Sequence, residues 1–138
     1  MIIVDTSVWI DFFKNKKNRE TEILLTLIGK NKRIGVNSII IQEVLQGKIN
    51  EKDYINAKEI LNNFTLYEVK HKTIINAIAI YRACVKGKGN TLTGQTVSPF
   101  DCIIASSVIE YDLEIFSSDA HFEFISKITG KLKIYYEH

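Results

Sequence analysis

Four carboxylates stand at informative places in this 138-residue chain: Asp5, Glu43, Asp101 and Asp119. Asp5 directly follows the apolar run MIIV and Asp119 follows LEIFSS, so each falls just past what reads as a short buried strand. In a parallel sheet those strand ends share one edge. Glu43 and Asp101 lie instead in runs of helical periodicity. At about 100° per residue, Glu43 in NSIIIQEVLQG falls between Ile39 and Ile40, and Asp101 in SPFDCIIASSVIE lines up with Ala105, Val108 and Ile109.

Each acid also has an ordinary local explanation. Asp is a favoured helix N-cap, and the Thr6-Ser7 pair suits a tight polar turn after Asp5. Ser98, Pro99 and Asp101 read as N-cap, N1 and N3, close to a capping box, while Glu43 suits a solvated helix border. Capping explains the residue types but only part of the inward direction, because an ionised carboxylate withdrawn from water is costly unless a cation or several donors offset it. Two acids at strand ends and two on apolar helix faces can converge on one pocket. Their mutual repulsion would raise their pKa values unless a divalent cation neutralised them. Oxygen donors without Cys or paired His nearby select Mg²⁺, with Mn²⁺ able to substitute, over zinc. The chemistry indicated is metal-assisted attack of water on a phosphodiester.

The elements that must position these groups follow from periodicity and caps. MIIV reads as a central strand feeding a helix, and ETEILLTLIGK as a helix with Gly29 near its stop. RIGV is a short strand; NSIIIQEVLQG, with Asn37 and Ser38 as cap candidates, and EKDYINAKEILNNF are consecutive helices. TLYEV alternates like a strand, KTIINAIAIYRACVK is helical, and GKGNTLTGQTV has the composition of a loop. The last third repeats helix (PFDCIIASSVIEYD), strand (LEIFSS), short helix (about 120–128) and terminal strand (KLKIYYE). This alternation predicts one α/β domain over residues 1–138, a three-layer sandwich around a central, mostly parallel sheet with its ligands at the carboxyl ends of the strands.

Composition sets further bounds. Hydrophobic residues make up 46% of the chain, enough for one sizeable core, and no apolar run approaches the roughly 20 residues of a membrane span. With no basic leader before MIIV, the expectation is a soluble, cytoplasmic protein without a membrane partner. Cys84 and Cys102 lack CxxC spacing and read as small buried hydrophobes. The net charge of +2 does not single out a nucleic-acid binder, although basic residues bunch at KNKKNR, KNKR, KHK and KGKG.

The set IIVDTSVWIDFF, NSIIIQEVLQG, SPFDCIIAS and IFSSDAHFEFI, in that order and at those separations, resembles the PIN-domain proteins, above all the VapC toxins of toxin-antitoxin pairs. The resemblance spans essentially the whole chain and implies a Mg²⁺-dependent endoribonuclease. Its acidic quartet would be Asp5, Glu43, Asp101 and Asp119, serving as both catalytic groups and metal ligands, with Thr6 or Ser7 as the hydroxyl that orients a water or an acid. It also implies an RNA substrate, a homodimer, and silencing by a cognate antitoxin whose C-terminal segment occupies the acidic groove.

Two departures matter. Such proteins often carry a basic residue shortly before the third acid, where this chain has TVSPFD, and often have further acids where this chain has His121 and Glu123. Glu123 is a candidate outer-shell group, whereas His121 reads as a surface residue at a helix start. Trp9, Phe100, Tyr111 and Phe122 are candidates for stacking on bases, with burial in the core as the commoner use of such residues. Other readings stay open: a non-toxin PIN-type nuclease of RNA processing, or a non-catalytic metal-binding α/β regulatory module resembling a receiver domain. A phosphatase of the haloacid dehalogenase type needs Asp-x-Asp, and Ser7 stands at the second position.

Overall fold

A computed structural model describes residues 1–47, 50–86 and 97–137. The segment expected to form the Gly- and Thr-rich loop lies largely at 87–96, outside the described residues. The order is β1 (Ile2–Val4), α1 (Thr6–Phe13), α2 (Arg19–Gly29), β2 (Ile34–Asn37), α3 (Ser38–Gln46), α4 (Glu51–Leu61), β3 (Thr65–Tyr67), α5 (His71–Lys86), α6 (Pro99–Glu110), β4 (Glu114–Phe116), α7 (Ala120–Thr129) and β5 (Lys133–Ile134).

The strands form one sheet in the order β3-β2-β1-β4-β5, and every pairing is parallel, where the sequence reading expected a mostly parallel sheet. Ile2, Ile3 and Val4 of the central strand are all buried, as befits a strand covered on both faces. With the right-handed crossovers that parallel sheets adopt, the order β1 through β2 to β3 puts α1–α4 on one face. The chain then reverses to β4 and β5, which places α5–α7 on the other. This is the three-layer α/β sandwich that the alternation predicts. The strand order also separates it from the receiver layout, which runs 2-1-3-4-5.

The reversal falls between β1 and β4, so the crevice beyond their carboxyl ends is the topological switch point. Val4 pairs with Phe116 in register, and the backbone N–H of Asp5 donates to the Phe116 carbonyl at 2.9 Å. Asp5 is thereby set beside Ser117. On the other side of β1, Gly35 of β2 admits the Tyr67 ring so closely that a β-carbon at Gly35 would stand 2.5 Å from it.

Local expectations meet mixed outcomes. Helix α2 does end at Gly29, as the sequence reading expects, and the left-handed residue that follows is Asn31 (φ 54°), since Asn tolerates that region. The terminal strand shrinks from KLKIYYE to Lys133–Ile134, because β4 offers it only Glu114 and Ile115 as partners. Ser98 caps α6 and Pro99 follows, as predicted, yet the Ser98 hydroxyl accepts from the Phe100 N–H and the Asp101 carboxylate turns toward α7. Cys84 and Cys102 are buried and free, as expected. Among the described residues, no helix is long and apolar enough to cross a membrane.

Candidate active site

The site is built from helix starts at the carboxyl edge of the sheet. Asp5 is the N-cap of α1: its Oδ1 accepts from the Thr6 N–H at 2.8 Å. Its Oδ2 accepts from two hydroxyls, Ser7 at 3.0 Å and Ser117 at 2.9 Å. The carboxylate is thus fixed by three donors although the residue is only 5% exposed. Thr6 turns its own hydroxyl to Glu43, donating to Oε1 at 2.8 Å. Glu43 is partly buried on α3, which buried Asn37 starts by accepting the Ile40 N–H at 2.9 Å.

Asp119 is the N-cap of α7, accepting the His121 N–H at 2.9 Å, while its own N–H donates to the Ser117 hydroxyl at 2.9 Å. Ser117 therefore ties Asp5 to Asp119. Asp101, in the first turn of α6, points into the same space, and the His121 ring Nδ1 stands 3.2 Å from its Oδ2 and 3.5 Å from Asp119 Oδ1. The capping explanations hold for Asp5 and Asp119, and the caps are themselves part of the cluster.

Electrostatics joins the acids into one unit. Burial pushes the Asp5 carboxyl up to about 6; the Ser117, Ser7 and Thr6 hydrogen bonds oppose the rise, and the charge of Asp101 adds to it. Asp101 is also raised, first by burial and then by the charges of Asp119 and Glu43, with His121 pulling the other way. Asp101 therefore feels Asp119 and Glu43, and Asp5 in turn feels Asp101. That hub position is what the inward apolar stripe produces.

The donor set fits a divalent cation. Ligand atoms of Asp101, Asp119 and His121 all lie within 4.8 Å of one another, and the carboxyls of Asp5 and Asp101 are raised first by burial and then by neighbouring acid charge. A cation reverses that penalty. Asp5 and Glu43 are outside this tight set but reach it through Ser117 and through the field of Asp101. Glu123 is exposed and borders a cavity of about 300 Å³ that it shares with Ser117, Asp119 and Arg19. A larger cavity, about 530 Å³, lies apart from the acids between α5, α6 and α7, beside Lys72, Glu110 and Lys131.

Two site residues escape the sequence reading. His121 is no surface residue: its side chain is 14% exposed and faces two carboxylates, because the α7 N-cap turn carries the second helical residue inward. Ser117 was not singled out at all, although it lies two residues before Asp119 in IFSSD. Of the aromatic candidates, Trp9 and Phe122 are core, and Tyr111 is occupied with Tyr67 and the Glu68 carbonyl. Phe100 is 48% exposed next to Asp101.

Comparison with known proteins bears on the family and the fold. Residues 2–128 match the family model of the PIN domain. Ribonuclease VapC11 of Mycobacterium tuberculosis is 29% identical over 133 residues, covering 94% of this chain and 95% of that protein. Among solved structures, a chain of DNA-bound VapBC from Salmonella typhimurium superposes with a TM-score of 0.74 at 18% identity, covering 97% of this chain and 96% of that one. VapC20 of Mycobacterium tuberculosis, a sarcin-ricin loop cleaving toxin, gives 0.65 at 12% identity, with coverages of 92% and 95%.

Proposed function

This chain belongs to the PIN-domain family, and on that premise we propose that residues 1–138 form a single Mg²⁺-dependent endoribonuclease domain of the VapC toxin type. The observation that carries the reading is the convergence of Asp5, Glu43, Asp119 and the hub Asp101 at the switch point of the sheet. These four would hold the cation, with Mn²⁺ able to replace Mg²⁺. When bound, the ion supplies a lowered pKa for attacking water and neutralises charge on the phosphoryl oxygens.

The chain's own contribution is positioning. Thr6, Ser7 and Ser117 fix the orientation of Asp5 and Glu43 through hydroxyl donors that carry no charge. Burial of Asp5, 5% exposed, keeps bulk water from its side of the site. Phe100 offers an exposed ring beside Asp101 for a base, and Arg19 offers a cation for a phosphate at the neighbouring cavity. Both fit a single-stranded or looped RNA, and VapC20 acts on a loop.

Two partners belong to the same reading. The VapBC likeness and the mutual charge of Asp101, Asp119 and Glu43 support a cognate antitoxin that inserts a basic side chain among the acids. A stripe of Ile75, Ile78 and Val85 along α5, 50, 51 and 45% exposed, supports pairing of two copies. The deciding experiment is cleavage of structured RNA by the purified chain in Mg²⁺ against EDTA, with Asp101→Asn alongside. Cleavage should require Mg²⁺ and vanish in the variant; equal rates in EDTA would sink the reading.

A further inference from the structure

We propose that His121 is a nitrogen ligand of the cation and biases the site toward Mn²⁺ over Mg²⁺. The inference rests on the reading of the acid cluster as a cation site. His121 Nδ1 stands 3.2 Å from Asp101 Oδ2 and 3.5 Å from Asp119 Oδ1, two carboxylates that arrive from different helices. A single proton on Nδ1 can serve only one of those oxygens well. A cation among the three atoms would serve them all. The spacings approach the roughly 3 Å between adjacent ligand atoms around an octahedral ion with bonds of about 2.1 Å.

The ring is also held for this purpose. The backbone N–H of His121 donates to Asp119 Oδ1 at 2.9 Å, so the N-cap bond of α7 fixes the residue that carries the imidazole. Its side chain is 14% exposed, and Nδ1 is the ring atom that faces the acids. An imidazole is a softer donor than a carboxylate. Mg²⁺ prefers oxygen donors and retains its waters, whereas Mn²⁺ stands above it in affinity for nitrogen. A site of oxygens alone would give Mn²⁺ less advantage.

The rival role for His121 is purely structural, a hydrogen-bond partner that orients Asp101. The full chain loaded with Mn²⁺, with its histidines (His71, His121 and His138) labelled with ¹⁵N, would be examined by pulsed electron paramagnetic resonance, and Mn²⁺ and Mg²⁺ affinities measured by calorimetry. We expect a nitrogen coupling in the wild type that disappears in His121→Asn. That variant keeps a hydrogen-bonding group near Nδ1, and its Mn²⁺ affinity should fall at least about tenfold relative to its Mg²⁺ affinity. Mn²⁺ binding that needs Asp101, as shown by its loss in Asp101→Asn, but shows no nitrogen coupling and an unchanged Mn²⁺/Mg²⁺ ratio in His121→Asn would overturn the role of His121 alone. Absence of Mn²⁺ binding, or binding indifferent to Asp101→Asn, would overturn the cation site and this inference with it.

Discussion

The acid cluster has two halves held by opposite means. Around Asp5 and Glu43 the partners are neutral: three hydroxyls and one backbone N–H, all from residues that also build the start of α1 or the end of β4. Around Asp101 and Asp119 the central partner is an imidazole, shared between two helix starts. Neutral donors fix direction and offset only part of the cost of burying the charge, so the Asp5 carboxyl still stands raised to about 6. The His121 half is partly compensated. The difference teaches that the site is preorganised in geometry on one side and poised for charge exchange on the other, a division that substitutions can break.

The largest effect should come from Asp5→Asn. Loss of an outer-shell partner already costs about 10–100-fold, so loss of a buried acid of the quartet should lower kcat by more than about 100-fold. Stability should move the other way. The folded-state pKa of Asp5 is raised from 3.8 to about 6, so its proton is held more tightly in the folded than in the unfolded chain. The metal-free wild type is therefore most stable, with respect to this group, below pH 4. It loses about 3 kcal/mol as the pH rises to 6 and above. Asn carries no such charge, so the variant should be more stable than wild type in EDTA at pH 7.5, with the gap closing toward pH 4. Denaturant unfolding across that range measures it, and a gap independent of pH would refute the assignment of the strain to Asp5.

Ser117→Ala tests the neutral half next. Its hydroxyl donates to Asp5 and accepts from the Asp119 N–H, so removal should cost about 1.5–3 kcal/mol at pH 7.5, where Asp5 is charged. The cost should shrink at pH 4, leaving the share owed to the Asp119 N–H. Activity should drop about 10–100-fold. Thr6→Val keeps the shape but frees Glu43 of its hydroxyl partner, and the expected loss is smaller, about tenfold in kcat with about 1 kcal/mol of stability. Should Thr6→Val match Asp5→Asn in its effect on kcat, Thr6 would contact the reacting groups itself and the positioning role would fail.

Most of the framework was legible because its signals are redundant. MIIV followed by Asp5 carries a strand, an edge and a cap in five residues, and the inward stripe behind Asp101 repeats over two helical turns. Glu43 could be placed on the border of the apolar arc by its angle between Ile39 and Ile40. His121 and Ser117 were not legible. A lone His or Ser in a polar turn has many local explanations, and what distinguishes these two is a partner 20 or 112 residues away. The stop of α2 at Gly29 was legible, whereas the left-handed turn after it falls on Asn31, which no sequence signal singled out. The terminal strand was overextended because alternation in KLKIYYE says nothing of how short its neighbour β4 is.

Glu123→Gln should have the smallest effect and marks where the charged half ends. Glu123 lies in the first turn of α7, four residues after the capping Asp119, but is exposed and borders a cavity lined by Asp119 and not by Asp101 or His121. Its local value is a favourable charge near the helix N-terminus, about 0.3–1 kcal/mol, which the amide gives up. Cleavage should change less than the roughly tenfold that loss of an outer-shell partner brings. A loss comparable to that of Asp5→Asn would instead extend the charged half along α7, with Glu123 moving its carboxylate into the site when RNA and cation are bound. The rate of RNA cleavage by the variant at saturating Mg²⁺ separates the two outcomes, since a dipole effect acts on stability and leaves kcat alone.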